Sequence, residues 1–320
     1  MKTQIVYTLI SSEKDYFLEE LWVSLYSLRL FHSEVTVNLL VDEPTKKYVE
    51  RFPELCGMVT NIVVVPVPEK YNAKQRSRVL KTSFRQYLKG NLLFLDTDTV
   101  VCKPLDEIDT LICDIACVPE MHLPFSKMPF APYGAVEAAL GIDVHDCLYY
   151  FNSGVMYVAD TEKAHEFFKR WNEKWTYSCF ERGNSQDEPA FCVTDKEMGF
   201  VIQPLADIYN AQVAMSLKYF ADAAIVHWWH MSFIEDQSYS PYFSFLKKHY
   251  ICTHEGILAN FTPIRPSIQE VSGTVYPVQY PVCGIEHLFV CSLDTNPANP
   301  VPSRWWYPCQ RVYALEWRLG

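Results

Sequence analysis

Two acidic residues at the end of a short apolar run are the strongest chemical signal in the sequence. The run over residues 92–95 leads directly into Asp96, Thr97 and Asp98. Alternate residues of an extended segment share a face, so both carboxylates can approach one cation together. Oxygen ligands of this kind suit Mg2+ or Mn2+, and such a cation can also hold a diphosphate. The alternative is that the two acids only cap a strand-to-turn transition, but unpaired acids at an apolar strand end are costly.

The elements that must position these acids alternate along the first half of the chain. Apolar runs predict strands, and apolar residues at helical spacing predict helices between them, including a basic helix over 74–88. The predicted strands lie at residues 4–9, 35–41, 62–67, 92–95 and 111–118. Such alternation favours an α/β fold with a mostly parallel sheet covered on both faces. Ligands of open α/β sheets lie at the carboxyl ends of the strands, where Asp96 and Asp98 stand.

The second half of the chain divides into two parts. After a loop-like stretch with a short helix, a strand is predicted at 151–158, then a helix from 161 to about 177. A last short strand at 223–226 ends in His227. Nine of the 20 prolines then lie between Pro241 and Pro308 among many aromatic residues. We therefore predict an α/β domain over 1–235 and an irregular, packed extension over 236–320.

Composition limits the classes of partner. The formal net charge of −10 disfavours broad binding to nucleic acid or to anionic lipid. No apolar run approaches the roughly 20 residues that span a bilayer, and the N-terminus does not show the pattern of a signal peptide. The 11 cysteines are odd in number and include no CxxC pair. That usage predicts free thiols in a reducing compartment, so we expect a cytoplasmic protein.

The segment LLFLDTDTVVCKPLDEI at 92–108 resembles the DxD motif of nucleotide-sugar glycosyltransferases with the GT-A fold, a Rossmann-like α/β fold. Family 8, which contains glycogenin and bacterial lipopolysaccharide galactosyltransferases, is the most similar pattern. Further segments match that family in order, namely RVLKTSFRQYLKGNLLFLD at 78–96, FNSGVMYV at 151–158, NSQDEPAF at 184–191 and AIVHWWH at 224–230. The resemblance covers residues 1 to about 235.

The resemblance implies transfer of a hexose from a nucleotide-sugar, most simply a UDP-sugar, to a glycan or other hydroxyl acceptor, with retention of configuration. It implies Mn2+ or Mg2+ as cofactor, with Asp96, Asp98 and His227 as ligands and His230 as the neighbouring competitor. It also implies Asp187 and Glu188 as catalytic residues, unless Gln186 replaces Glu188 by a shift in register. The implied donor contacts are Thr8, Leu9 and Tyr16 at the nucleoside, Thr97 within the DxD motif, Arg78 and Lys81 at the phosphates or sugar, and Asn152, Ser153 and Gly154 at the sugar.

Two other functions are alternatives, the first of them because of a departure from the family. The family follows its histidine with Gly and then Lys-Pro-Trp, whereas this chain reads HWWHMSFIEDQSY, without that lysine. A sugar-nucleotide or glycan-binding protein with weak or no catalysis is therefore an alternative. The run LFLDTDTVV also fits the DxDxT pattern of haloacid-dehalogenase-like phosphatases, with Asp96 as nucleophile. Such enzymes place that strand near the N-terminus and carry a later GDxxxD, which this chain lacks.

Overall fold

A computed structural model describes residues 1–15, 17–129, 131–213, 215–216 and 218–227, together with two strands further along the chain. The strands are β1 Gln4–Leu9, β2 Val37–Val41, β3 Asn61–Val64, β4 Leu92–Leu95, β5 Thr99–Val101, β6 Ile115–Pro119, β7 Phe151–Val158, β8 Ile202–Pro204, β9 Ala211–Gln212, β10 Ile225–His227, β11 Val278–Val282 and β12 Ile285–Phe289. The helices are α1 Phe17–Phe31, α2 Glu43–Val49, α3 Pro53–Gly57, α4 Ala73–Tyr87, α5 Tyr133–Leu140, α6 Glu162–Glu181 and α7 Glu188–Glu197.

The main sheet has seven strands in the order β3-β2-β1-β4-β7-β6-β8. All neighbours are parallel except that β7 runs antiparallel to both β4 and β6. The start of β7 therefore lies beside the end of β4, and the backbone N–H of Asp96 donates to the carbonyl oxygen of Gly154 at 2.8 Å. This reversal brings the FNSG segment to the edge of the sheet that carries the acidic pair.

Side-chain alternation along the strands builds a core on each face of this sheet. Ile5, Tyr7 and Leu9 of β1 pack with Leu21 and Leu25 of α1 on one face. On the other face, Val6 of β1 and Phe94 of β4 pack with apolar residues of α4 and α6, among them Leu80, Phe84, Phe168 and Trp171. The predicted α/β fold, a mostly parallel sheet covered by helices, is confirmed.

A second, three-stranded sheet holds the strand that ends in His227. The sequence predicts that strand correctly, but it does not join the main sheet, because β10 pairs antiparallel with β5 and parallel with β9. The short strand β5 follows directly after Asp98 and is missing from the predicted elements. In the register of this sheet, His227 lies opposite Thr99 and so comes next to the acidic pair.

The predicted extension over 236–320 lies largely outside the described residues. Within it, β11 and β12 form an antiparallel hairpin, which the expectation of an irregular segment did not include. The domain division at residue 235 stays a prediction. The seven cysteines described before residue 228 are all free, as expected. Among the described residues, no helix is both long and apolar enough to cross a membrane.

A buried arginine ties the end of α4 to the sheet. Arg85 is fully buried, donates to the Gly90 carbonyl oxygen at 2.6 Å and pairs with Asp160 at 2.5 Å. Replacing Arg85 with methionine leaves the Gly90 carbonyl oxygen without its partner, so we expect a loss of about 2–3 kcal/mol in the free energy of unfolding, measured with urea. Arg170→Met removes the exposed pair with Glu166 on α6 and should cost less than about 0.5 kcal/mol. Equal losses in the two variants would contradict this role.

Candidate functional site

Asp96, Asp98 and His227 form a cluster of possible metal ligands at the carboxyl end of β4. One ligand atom from each residue lies within 4.8 Å of the others, and Nε2 of His227 is 3.2 Å from Oδ1 of Asp98. Adjacent ligands of a cation held at about 2.1 Å stand roughly 3 Å apart, so this spacing fits one small divalent ion. Two carboxylates and an imidazole also suit Mg2+ or Mn2+ chemically. The structure thus brings together the three residues predicted as metal ligands, while His230 lies outside the described residues.

The histidine is charged more readily here than in water when no cation is present. Burial alone would lower the pKa of His227, but the carboxylates of Asp98 and Asp96 together outweigh it and raise that pKa. An imidazole ligand must be deprotonated at the coordinating nitrogen, so cation binding would displace a proton from this position.

Gly154 makes room for the His227 ring. A Cβ added to Gly154 would lie 2.3 Å from Cε1 and 2.8 Å from Nδ1 of the imidazole. Only glycine therefore fits beside the histidine in this position of β7. The family resemblance implies that Gly154 contacts the donor sugar, and in the structure the His227 ring occupies the space that a Cβ at Gly154 would fill. The contact with the sugar stays a prediction.

Polar partners hold the imidazole from the other side. Nδ1 of His227 lies 3.0 Å from Oδ1 of Asn210, and Asn210 donates to Oδ1 of Asn152 at 2.8 Å. Asn152 in turn donates to Oε2 of Glu120 at 2.8 Å. Asn152, predicted to line the donor sugar, is thus buried inside a side-chain network that leads to the histidine.

A second charged group surrounds Asp187, which is completely buried. The Arg78 guanidinium pairs with its Oδ1 at 2.5 Å, Ser153 donates to its Oδ2 at 3.1 Å, and the Lys81 ammonium is 3.9 Å away. Burial alone would raise the pKa of Asp187, but Arg78 and then Lys81 lower it overall. Asp187 stands at the start of α7, yet its carboxylate accepts no capping hydrogen bond from that helix.

Lys81 joins the two acidic groups. Its ammonium donates to both oxygens of Asp96, at 2.8 and 3.1 Å, and also faces Asp187. Burial raises the pKa of Asp96, as does Asp98, while Lys81 opposes both. Arg78 and Lys81 are therefore paired with acids of the site in this structure, and their predicted contacts to donor phosphates stay a prediction.

The residues predicted to hold the nucleoside differ in burial. Thr8 is half-buried at the end of β1, while Leu9 is 2% exposed and its side chain belongs to the core. Only the backbone of Leu9 is thus left to meet a ligand. Thr97 lies between the two acids with its hydroxyl 3.5 Å from Glu20, and Tyr16 lies outside the described residues.

Glu120 is a residue of the site that is not among those predicted from the sequence. It directly follows β6, as Asp96 follows β4, so an acid after the apolar run of 115–119 was the signal that could have found it. Burial raises the pKa of Glu120 to about 7, and its Oε1 has no hydrogen-bond partner among the described residues. The next two residues, Met121 and His122, have φ of 57° and 59°, a strained conformation for residues other than glycine.

Glu188 is a further acidic residue beside Asp187. As the first residue of α7, it follows Asp187 directly. Burial, and then the Asp187 carboxylate, raise the pKa of Glu188. The charge of Glu188 also contributes to the raised pKa of Glu120.

Several solved glycosyltransferase structures are similar to this chain. The apo form of mouse xyloside xylosyltransferase 1 is similar with a TM-score of 0.47 and 14% identity, over 71% of this chain and 97% of that one. The galactosyltransferase LgtC, in complex with donor and acceptor sugar analogs, gives 0.46 and 13%, over 71% and 87%. GlyE from Streptococcus pneumoniae TIGR4 gives 0.46 and 16%, over 72% and 55%.

No protein-family model matches the sequence, and no curated protein matches it. The resemblance to family 8 therefore rests on the motifs quoted above.

Proposed function

We propose that this chain is a metal-dependent glycosyltransferase that moves a hexose from a nucleoside diphosphate sugar, with UDP as the expected nucleotide, to a hydroxyl of a glycan or other acceptor. The observation that carries the proposal is the convergence of Asp96, Asp98 and His227 within 4.8 Å at one sheet edge, joined through Lys81 to the buried Asp187. A binding protein has no evident need for a second, buried and charge-balanced carboxylate beside a cation site. Asp187 therefore favours catalysis over binding alone.

The protein's own residues divide the work between two charges that develop during transfer. Asp96, Asp98 and His227 would hold Mn2+ or Mg2+ and with it the diphosphate of the donor. When bound, the cation supplies stabilisation of the negative charge that grows on the departing nucleoside diphosphate. Asp187, kept ionised by Arg78 and Lys81, is suited to stabilise positive charge at the anomeric carbon or to orient a sugar hydroxyl. Retention of configuration is part of the proposal through the resemblance to family 8.

Donor hydrolysis tests this proposal, because glycosyltransferases with a bound donor slowly transfer the sugar to water. We expect release of UDP from a panel of UDP-sugars in the presence of Mn2+ and its suppression by a chelator. Asp98→Asn removes a carboxylate from the cluster and should lower the rate at least tenfold. Asp143→Asn, on an exposed side chain outside the site, is the matched control and should match the wild-type rate.

Three other results would contradict the proposed metal-dependent glycosyltransferase. Stabilisation of the protein by donor and Mn2+ without any turnover would identify a binding protein. Trapping of a phosphoryl group on Asp96 would identify a phosphatase. Release of UDP that is unaffected by the chelator and by Asp98→Asn would overturn the metal-dependent mechanism.

A further inference from the structure

The donor and acceptor of each hydrogen bond around His227 can be assigned, starting from a backbone N–H group. The N–H of Gly154 can only donate, and it lies 2.9 Å from Oδ1 of Asn152. The oxygen of this amide is therefore on the Gly154 side, and Nδ2 is on the other. Nδ2, which can only donate, then bonds to Oε2 of Glu120 at 2.8 Å, and this carboxyl oxygen is its acceptor.

The same assignment extends through Asn210 to the proposed metal ligand His227. Asn210 has its own Nδ2 at 2.8 Å from Oδ1 of Asn152, so it donates there and turns its Oδ1 towards His227. Nδ1 of the imidazole, 3.0 Å from that oxygen, must carry the proton. Nε2 is then the nitrogen left to coordinate, and it is the one that faces Asp98.

Both ends of this chain of side chains are held by the fold. Asn210 is fully buried, and an amide turned the wrong way would lose its hydrogen bonds where water cannot replace them. The strained turn after Glu120 is clamped by Gln212, which accepts from the N–H of Met121 at 2.8 Å and donates to the carbonyl oxygen of Pro119 at 3.0 Å. Gln212 also lies opposite His227 in the pairing of β9 with β10, so the same strand pair holds both ends.

We propose that Asn210 is a positioning residue that fixes the tautomer and orientation of His227 for cation binding, and that Asn152 and Glu120 fix Asn210 in turn. Metal-binding histidines usually donate their other ring N–H to a carboxylate or a carbonyl oxygen. Here two amides stand between the imidazole and the Glu120 carboxyl. The inference rests on the proposed function only in that it requires the cation site.

Asn210→Leu tests the chain of hydrogen bonds by removing the acceptor at Nδ1. We expect Mn2+ binding, followed by electron paramagnetic resonance, to weaken 10- to 100-fold, the range typical of loss of an outer partner of a metal ligand. Asn210→Asp keeps an oxygen facing Nδ1 and should recover part of the affinity. Asn172→Leu removes a comparable amide, bonded to Thr82 away from the site, and is the matched control with wild-type affinity.

A spectroscopic measurement on the wild-type protein distinguishes a positioning role from a structural one. With saturating Mg2+, 15N NMR should show the proton of His227 on Nδ1, and a proton on Nε2 would overturn the inference even if Asn210→Leu fails to fold. Wild-type affinity in both Asn210 variants would overturn it as well. If the wild-type protein binds no Mn2+, the cation site of the proposed function is wrong, which is a separate failure.

Discussion

Alanine at position 154 is expected to weaken Mn2+ binding more than about 100-fold, beyond the effect usual for an outer partner of a ligand. The added Cβ would lie 2.3 Å from Cε1 of His227, closer than carbon atoms can approach. The backbone of β7 cannot easily withdraw, because the next residue, Val155, pairs with Leu95 of β4 and the carbonyl oxygen of Gly154 accepts from the N–H of Asp96. His227 must therefore leave its place. Titration of Mn2+ by calorimetry or electron paramagnetic resonance measures the loss.

Gly134 provides the matched control for this substitution. It lies in α5, a Cβ there would meet no atom within 4 Å, and Gly134→Ala should leave Mn2+ affinity unchanged. If steric displacement of His227 is the cause, adding His227→Ala to Gly154→Ala should weaken binding little further, since both changes remove the same ligand. Wild-type affinity in Gly154→Ala would show that the imidazole is not a ligand.

The parts of this site that can be predicted from the sequence are those that depend on short runs of neighbouring residues. The apolar run before Asp96 and the one over 151–158 each mark a buried strand, and both strands are present with the expected bounds. Their chemistry follows from position, because an acid directly after a buried strand must lie at the edge of the sheet. The same rule applied to the acid after β6 would have found Glu120.

The parts that sequence does not predict depend on which strands pair. Nothing local shows that β7 runs antiparallel to its neighbours, or that β10 leaves the main sheet to pair with β5. Those pairings put His227 against Gly154 and Asn210 against His227, contacts between residues far apart in the chain. Asn152 and Ser153 consequently hydrogen-bond to other residues of the site, and Gly154 leaves room for His227, roles that their motif alone does not reveal.

The net negative charge of the chain matters for donor binding through the charged residues of the site. An acidic chain that takes an anionic donor cannot depend on its overall charge to attract it. In the structure, Arg78 and Lys81 balance Asp187 and Asp96 closely, which leaves little positive charge over for a diphosphate. A bound cation is then the group that would change the sign of the site, and donor affinity should depend on it.

Asp187→Asn is expected to lower the free energy of unfolding by about 2–4 kcal/mol in the absence of donor, because it leaves Arg78 without its buried partner. The guanidinium keeps some contact with solvent, at 24% side-chain exposure, which places the cost somewhat below that of a fully buried charge. Lys81 retains Asp96 and is affected less. Urea unfolding measures the change, and Asp143→Asn on the surface should cost less than about 0.5 kcal/mol.

A double variant separates the charge effect from a loss of packing. Arg78→Met combined with Asp187→Leu removes both charges, and replacing a buried pair by apolar side chains of similar volume is often neutral. We therefore expect the double variant to be more stable than Asp187→Asn alone, although inactive if Asp187 is catalytic. A double variant as unstable as the single one would show that Asp187 matters for stability through the hydrogen bond that its carboxylate accepts from Ser153, and that Arg78 does not depend on it.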